Sequence, residues 1–238
     1  MAELILVRHG QASAFEDDYD KLSELGHRQA ERLGAYWARA KLPIDAVVMG
    51  SLRRHRETEA GVRKAYAAAG LSLPEAEIDA DWDEYDSTAL VGGLGAALEV
   101  VDPAFRELSQ RARQAPPAER NRHFQRAFEV LTSAWVERRV EFADMEPFAD
   151  FHARVAAARQ RILQRERPGR VVVFTSGGPI GVNVQLTLEA PPAQTLRVNS
   201  RVRNASLSHF LFSRDRVSFD SFNLIPHLDD TPDLITFR

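Results

Sequence analysis

Three short apolar runs, each followed by a helical pattern, constrain the fold of this chain more than any other feature. The runs occupy residues 4–7, 46–49 and 171–174, and the last of them reads V-V-V-F. Such unbroken runs are typical of central strands that helices cover on both faces. Because strands that alternate with helices indicate parallel βαβ units, we predict an α/β fold. Its core is a mostly parallel central sheet flanked by helices on both faces.

The segments between these runs carry helix signals. Ser23 precedes apolar residues at helical spacing and is expected to cap a helix. Further helices are predicted over 52–69 and 148–166. The turn T-S-G-G-P-I-G after the third run is expected to open another helix, with Pro179 at its first position. The alternating end of the chain predicts two strands joined by a turn near Asp215.

Between residues 88 and 147 the pattern changes. The sequence has no convincing strand there, and prolines interrupt its helical stretches. We therefore expect a single domain over 1–238, in which 88–147 forms a helical insertion or cap. The arginine-rich stretch 106–139 has two interpretations. It is either a positive surface that attracts an anionic substrate or a solvated helix face.

Charge and cysteine content exclude several classes of function. The chain has 238 residues, with 31 basic and 34 acidic side chains and a net charge of −3, so no overall field attracts nucleic acid or a membrane surface. The absence of cysteine excludes disulfides, thiolate metal sites and cysteine nucleophiles. The histidine spacing indicates no metal site, and nothing in the sequence indicates a cofactor. The apolar segments are too short for a signal peptide or a membrane span, which predicts a cytoplasmic protein. The sequence allows a homodimer without indicating one.

Candidate catalytic residues follow the first two predicted strands. Arg8-His9-Gly10 comes directly after the first strand, and Ser51 and Arg54 come after the second. Open α/β sheets bind ligands beyond the carboxyl ends of their strands. Two arginines are therefore expected to meet at one edge of the sheet, beside an imidazole.

An imidazole between two guanidinium groups suits phosphoryl transfer. Arginine binds phosphate oxygens bidentately and can hold the phosphorus in line with an attacking nitrogen. Nearby positive charge disfavours the imidazolium, which keeps the ring neutral and nucleophilic at pH 7. The leaving alkoxide then needs a proton, and the acidic stretch around Asp83-Glu84 is the expected source.

The sequence around these residues resembles the histidine phosphatase superfamily, in its phosphoglycerate mutase-like branch. The resemblance rests on L-V-R-H-G-Q (6–11), the helix opening 22–30, S-L-R-R through Thr58 (51–58), W-D-E-Y (82–85), N-A-S (204–206) and the ending 223–228. The family's pattern for the third of these segments is S-x-L-x-R-A-x-Q-T. The resemblance implies that His9 becomes phosphorylated and that Arg8 and Arg54 bind the phosphoryl group. It also implies that Glu84 donates the proton.

One departure from the family is large. Its second catalytic histidine lies in an S-H-G-G turn, and this chain has Ser176 in that place. A serine hydroxyl donates one neutral hydrogen bond, about half as strong as a charge-assisted one. Loss of such a donor typically slows an enzyme by about 10² to 10³, although helix-opening amides after Gly177 offset part of the loss. The candidate substrate-binding residues are completed by Gly10, Gln11, Ser13 and Gly177, in addition to Arg8, Arg54 and Ser176. Ser13 lies beside a position where many members have a hydroxyl residue.

Three functions remain open from the sequence. The leading hypothesis is a metal-independent phosphatase that acts on a phosphorylated small molecule through phosphorylated His9, slowly because of Ser176. The alternatives are a catalytically impaired protein that binds a phosphorylated ligand, and a phosphomutase. Ser176 also has a simpler interpretation, as the cap of the following helix. The other histidines of the helices and late strands, His55 among them, are interpreted as surface or packing residues, although His209 or His152 could replace the missing histidine.

Overall fold

A computed structural model of the chain describes residues 2–13, 20–213 and 216–237. A six-stranded sheet forms the centre of the fold, as the apolar runs predict. Its strands in chain order are β1 (Ala2–Arg8), β2 (Ala46–Met49), β3 (Ala76–Ile78), β4 (Arg170–Thr175), β5 (Leu207–Ser213) and β6 (Arg216–Leu224). The turn predicted near Asp215 lies outside the described residues.

The strand order confirms the predicted α/β class. Across the sheet the strands lie in the order β3-β2-β4-β1-β5-β6. The first four are parallel, and β5 and β6 add an antiparallel edge. The central pair is therefore β4 and β1, and both carry one of the three predicted apolar runs.

Eight α-helices of the described residues accompany the sheet. They are α1 (Glu24–Arg39), α2 (Arg53–Ala68), α3 (Gly95–Val101), α4 (Pro103–Gln114), α5 (Pro117–Val136), α6 (Phe148–Leu163), α7 (Gly177–Thr187) and α8 (Gln194–Asn199). A π-helical stretch, Ala89–Leu94, precedes α3. Ser23 caps α1 as predicted, because its side-chain oxygen accepts a hydrogen bond from the backbone N–H of Gly26 at 3.1 Å.

Side-chain alternation shows why the central strands are apolar on both faces. Ile5 and Val7 of β1 pack in one cluster with Leu33 of α1 and Val62 of α2. Successive side chains of a strand point to opposite faces, and the intervening Leu6 is also fully buried. Both faces of the central strands are therefore covered, which excludes water from the centre of the sheet.

The described chain divides into two compact units. The first consists of Met1–Glu84 together with Arg154–Arg238 and contains the whole sheet. The second, Tyr85–Ala153, has no strand among the residues that the structure describes. In it Trp135 packs against neighbouring aromatic rings. Several of its arginines pair with acidic groups of the same unit, for example Arg113 with Glu99 at 2.7 Å.

Two elements escape the sequence pattern, and one helix begins earlier than predicted. The strand β3 has only three residues, two of them exposed, so the acidic stretch around it shows no apolar run. The short helix α8 likewise has too few residues for a clear period. The prediction that Pro179 opens α7 is wrong, because the helix starts at Gly177 and Pro179 is its third residue. Proline fits there because the first N–H groups of a helix have no acceptor within the helix.

Candidate active site

The candidate residues gather where β1 and β4 end side by side. The two strands pair in parallel, with Arg8 opposite Thr175. His9 and Ser176 directly follow the two strands, and the backbone N–H of His9 donates to the carbonyl of Thr175 at 2.9 Å. The register therefore brings the predicted nucleophile beside the serine that departs from the family pattern.

The His9 ring is buried and held in one orientation. Its Nδ1 lies 2.6 Å from the carbonyl oxygen of Gly10, so Nδ1 carries the proton and donates it to that oxygen. The lone pair consequently lies on Nε2. Burial lowers the pKa of His9 well below 6.5, and the charges of Arg54 and Arg8 lower it further, with a smaller contribution from His55. The ring is therefore neutral at pH 7.

Both predicted arginines act on His9, and both also bond to protein oxygens. Arg54 is buried, and its guanidinium donates to the carboxylate of Asp20 at 2.7 Å. Arg8 donates to the backbone carbonyls of Val202 and Phe237, the latter at 2.9 Å. Both guanidinium charges lower the pKa of His9, because a like charge disfavours the protonated ring.

A network of backbone contacts fixes the turn after β1. The N–H of Gly10 donates to the Thr58 hydroxyl at 3.0 Å. A side chain at Gly10 would overlap the carbonyl of Gly26, so only glycine fits between these segments. The side-chain oxygen of Gln11 accepts from the Ser23 hydroxyl at 2.9 Å. Two of the predicted substrate-binding residues, Gly10 and Gln11, thus shape the turn itself.

Ser13 and Gly177 complete the predicted set. Ser13 is buried, and its backbone N–H donates to the carbonyl of Lys21 at 2.9 Å. Gly177 opens α7, and a side chain there would overlap the Asn199 side chain. The structure therefore gives Gly177 a packing requirement of its own.

Ser176 occupies the N-cap position of α7 but does not cap the helix with its side chain. Its hydroxyl lies instead 2.7 Å from Nε2 of His55, and both side chains are fully buried. The interpretation of Ser176 as a simple helix cap is therefore wrong. The serine is one partner in a buried hydrogen bond to an imidazole.

His55 is the functional candidate that the sequence interpretation missed. It was expected at the surface or in packing, and the structure places it on α2 with its ring centre 5.8 Å from that of His9. Its Nδ1 lies 3.4 Å from a carboxylate oxygen of Asp83. A signal was present in the sequence, because the family pattern around Arg54 has alanine where this chain has histidine.

Of the two histidines that the sequence leaves as possible replacements, His209 lies elsewhere. Its ring is hydrogen-bonded to Glu3, near the beginning of β1, whereas His9 follows the end of that strand. His209 therefore does not replace the missing imidazole. His152 belongs to the second unit, where it packs 5.9 Å from Phe148, and its role as a replacement stays a prediction.

Asp83 and Glu84 are consecutive residues that reach different partners. Asp83 accepts hydrogen bonds from the backbone N–H of Ser51 at 2.6 Å and from the Ser51 hydroxyl at 2.5 Å. Glu84 accepts from the backbone N–H of Gly178 at 3.0 Å, which places its carboxylate at the start of α7. Arg154 steadies this segment by donating to the carbonyl of Asp83 at 2.8 Å.

Opposing effects act on the ionisation of His55 and Asp83. Burial lowers the pKa of His55 below 6.5 and Arg54 adds to this, while Asp83 and Asp20 raise it in part. Burial alone would raise the pKa of Asp83, but contact with His55 and the bonds from Ser51 lower it below its usual 3.8. At neutral pH a carboxylate therefore faces a neutral ring that a further negative charge would help to protonate.

Two further properties of the described residues concern membrane spans and metal ligands. None of the helices that the structure describes is both long and apolar enough to cross a membrane. Across the described ranges, no three histidine or acidic side chains are grouped as ligands for a metal ion.

Comparison of the sequence with known families identifies one match. A sequence model described as "Histidine phosphatase superfamily (branch 1)" matches residues 4–126 and 88–225 of this chain. Among curated proteins, none is significantly similar in sequence.

Solved structures share the fold at low sequence identity. A phosphoglycerate mutase from Bacillus anthracis is 18% identical, with a TM-score of 0.63 and 95% of each chain covered. A mycobacterial glucosyl-3-phosphoglycerate phosphatase is 21% identical, with a TM-score of 0.60, over 94% of this chain and 99% of that one. A phosphoserine phosphatase variant from Entamoeba histolytica, in complex with phosphoserine, is 16% identical, with a TM-score of 0.60, over 96% and 100% of the two chains. These similarities show the architecture, since one fold serves many functions.

Proposed function

Because the chain belongs to the histidine phosphatase superfamily (branch 1), we propose that it hydrolyses a phosphomonoester through a phosphohistidine on His9, without a metal ion. The observation that carries this proposal is the state of the His9 ring. Its Nδ1 is engaged by the Gly10 carbonyl, and its pKa lies well below 6.5. A buried, neutral imidazole with its lone pair on Nε2 is a nucleophile at pH 7.

The reaction has two displacements at phosphorus. In the first, Nε2 of His9 bonds to phosphorus, the ester P–O bond breaks, and Glu84 gives its proton to the leaving oxygen. In the second, water attacks the phosphohistidine, Glu84 takes a proton from that water, and the P–N bond breaks to release inorganic phosphate. Support for the role of Glu84 comes from its contact with Gly178, two residues beyond Ser176.

The two arginines supply the positive charge that a transferring phosphoryl group requires. The Arg54 guanidinium is already bonded to an anion, the carboxylate of Asp20. A phosphoryl dianion carries more charge than a carboxylate and presents three oxygens. We therefore expect substrate to displace Asp20 from Arg54, which would make phosphate binding sensitive to that ion pair.

The substrate class is a phosphorylated small molecule. The structural relatives named above include phosphatases and a mutase, so products must be analysed as well as substrates. A panel of sugar phosphates, nucleotides and phosphorylated acids, followed by phosphate release and by chromatography of the organic product, separates the two reactions. A phosphatase releases inorganic phosphate, whereas a mutase returns an isomer of the substrate.

The first test combines turnover with the identity of the phosphorylated residue. The purified chain is incubated with an aryl phosphate, with and without a chelator, and the phosphoenzyme is trapped by rapid denaturation. We expect turnover that the chelator leaves unchanged and that His9→Ala abolishes. The trapped phosphoryl group should be labile in acid and stable in base, as phosphohistidine is.

His27→Ala is the matched control, because His27 is a half-exposed histidine on α1. It should keep the turnover of the parent chain. Equal turnover in the His9→Ala variant, or an acid-stable phosphoryl group on Ser176, would overturn the proposal. A chain that binds phosphate and shows no turnover above background would favour the phosphoryl-binding alternative.

A further inference from the structure

A second imidazole stands beside His9, and it comes from α2 instead of the turn after β4. The His55 ring centre is 5.8 Å from that of His9, and its Nε2 is 2.7 Å from the Ser176 hydroxyl. Ser176 occupies the position where the family pattern has its second histidine. The small serine side chain leaves room at the end of β4, and the ring of His55 reaches that place from another element.

We propose that His55, oriented by Asp83 and linked to Ser176, replaces the missing histidine by taking up a proton when a phosphoryl dianion binds beside His9. This inference rests on the proposed function and concerns the same site. His55 is a positioning residue, since it acts through Ser176. The Ser176 hydroxyl is the group that contacts the phosphoryl oxygen.

The local structure is built to hold this imidazole against a carboxylate. Asp83 is fixed by the backbone N–H and the hydroxyl of Ser51, so its position does not depend on His55 alone. Nδ1 of His55 lies 3.4 Å from Asp83, a distance suited to an ion pair once the ring is protonated. A Cβ atom at Gly50 would overlap both groups, so this approach requires glycine.

The groups around His55 favour different protonation states of its ring. Arg54 and burial favour the neutral ring, while Asp83 and Asp20 favour the protonated one. The neighbouring His9 is itself neutral because of its low pKa. A dianion bound beside His9 adds negative charge within a few ångströms of the ring and favours the imidazolium.

The proton movement alters no covalent bond at Ser176. One proton from solvent binds Nε2 of His55, and the new N–H donates to the Ser176 oxygen. The hydroxyl hydrogen of Ser176, released from Nε2, then donates to a phosphoryl oxygen. The imidazolium behind the serine supplies the positive charge that a serine alone lacks, where negative charge develops in the transition state.

Nuclear magnetic resonance of the imidazole rings tests the proton uptake without turnover. The His55 signals are assigned by their loss in the His55→Gln variant and titrated with and without saturating inorganic phosphate. We expect phosphate to raise the titration midpoint of His55 by about 1 to 3 pH units, the range typical of a nearby opposite charge. An unchanged midpoint while the His9 signals respond to phosphate would overturn the inference and leave the proposed function intact.

Exchanging the imidazole between the two positions tests its catalytic effect. His55→Gln can keep a hydrogen bond to Ser176 but cannot be protonated, so kcat should fall by about 10² and lose the pH dependence due to this ring. Ser176→His alone should be no faster than the parent chain, because the new ring would meet the His55 ring. In the double variant His55→Ala with Ser176→His, kcat should be at least about tenfold higher than in His55→Ala.

The folded state of each variant is checked by its melting temperature and by phosphoryl labelling of His9. A gain in rate from Ser176→His alone, together with full activity of His55→Gln, would overturn the inference. His27→Gln is the control that changes a histidine of α1 and should leave kcat and its pH profile unchanged. If the parent chain neither turns over aryl phosphate nor shifts any His9 signal with phosphate, the proposed function itself fails.

Discussion

The ends of β1 and β4 are neighbours in the sheet and reach their chemistry by different routes. At the end of β1 the imidazole belongs to the strand-end residue itself, His9, and the adjacent glycine carbonyl holds its ring. At the end of β4 the equivalent residue is Ser176, and the imidazole beside it belongs to His55 on α2. The same edge of the sheet therefore carries two imidazoles. One belongs to the strand-end motif, and the other belongs to a residue 121 positions before Ser176 in the chain.

The difference shows that a buried site depends on which groups occupy a volume more than on which element carries them. Relative to the family pattern, this chain has serine instead of histidine at position 176 and histidine instead of alanine at position 55, and the contact between the two keeps an imidazole at the end of β4. The groups that act on the two imidazole rings differ as well. His55 faces Asp83, whereas burial and two arginines act together on His9, so the pKa of His9 is lowered more strongly.

The largest expected effect comes from Arg54, a charge that acts on both strand ends. Arg54 lowers the pKa of both His9 and His55. Arg54→Gln should therefore raise the pKa of both rings, seen by nuclear magnetic resonance, and lower kcat/KM by about 10² to 10³ through loss of phosphoryl stabilisation. A change in the pKa of only one of the two rings would show that the two strand ends do not share this charge.

Arg53→Gln is the matched control for this prediction. Arg53 is the neighbouring arginine on α2, half-exposed, and its side chain bonds to Glu57 at 2.6 Å. Removing an exposed charge of this kind typically changes stability by less than about 1 kcal/mol. The variant should therefore keep kcat/KM and both imidazole titrations.

The sequence predicts the β1 end of the site better than the β4 end for a physical reason. Strand-end motifs such as Arg8-His9-Gly10 are local, so the residues that act together are adjacent in the chain. The contact between Ser176 and His55 exists only in the folded state, and each residue alone matches a common surface or capping role. The contact becomes predictable only when the departures from the family pattern at His55 and Ser176 are considered together.

The elements of the fold also differ in how well the sequence predicts them. The central strands were predictable because burial on both faces requires an unbroken apolar run. The edge strand β3 was not, because Glu77 and Ile78 are exposed and hydrogen bonding to β2 alone defines the strand. The helical character of 88–147 follows from its pattern, whereas the π-helical turn of Ala89–Leu94 does not, because six residues are too few to show a different period.

A smaller effect is expected from Gly50→Ala, which acts on the β4 end alone. The added Cβ would overlap His55 and Asp83, so the ring must move from its place between Asp83 and Ser176. We expect kcat to fall by about tenfold with His9 still phosphorylated, which is less than the roughly 10²-fold that a misplacement of 1 Å can cost. In a His55→Ala background the same change should cost much less, because contacting residues are not additive. Equal losses in both backgrounds would show that Gly50 acts independently of His55.

The smallest expected effect concerns the free energy of unfolding. The reference imidazole is His227, whose contacts are remote from both strand ends. Its buried ring has no hydrogen-bond partner among the described residues, and burial, aided by Arg32, lowers its pKa to about 4. The unfolded chain binds a proton near pH 6.5 and the folded chain does not, so stability is lost as pH falls from 6.5 towards 4. Each pH unit in that window should cost about 1.4 kcal/mol from this residue. His227→Leu should remove that slope in urea unfolding between pH 7.5 and 5, whereas His55→Gln should remove less, because Asp83 already favours protonation of that ring.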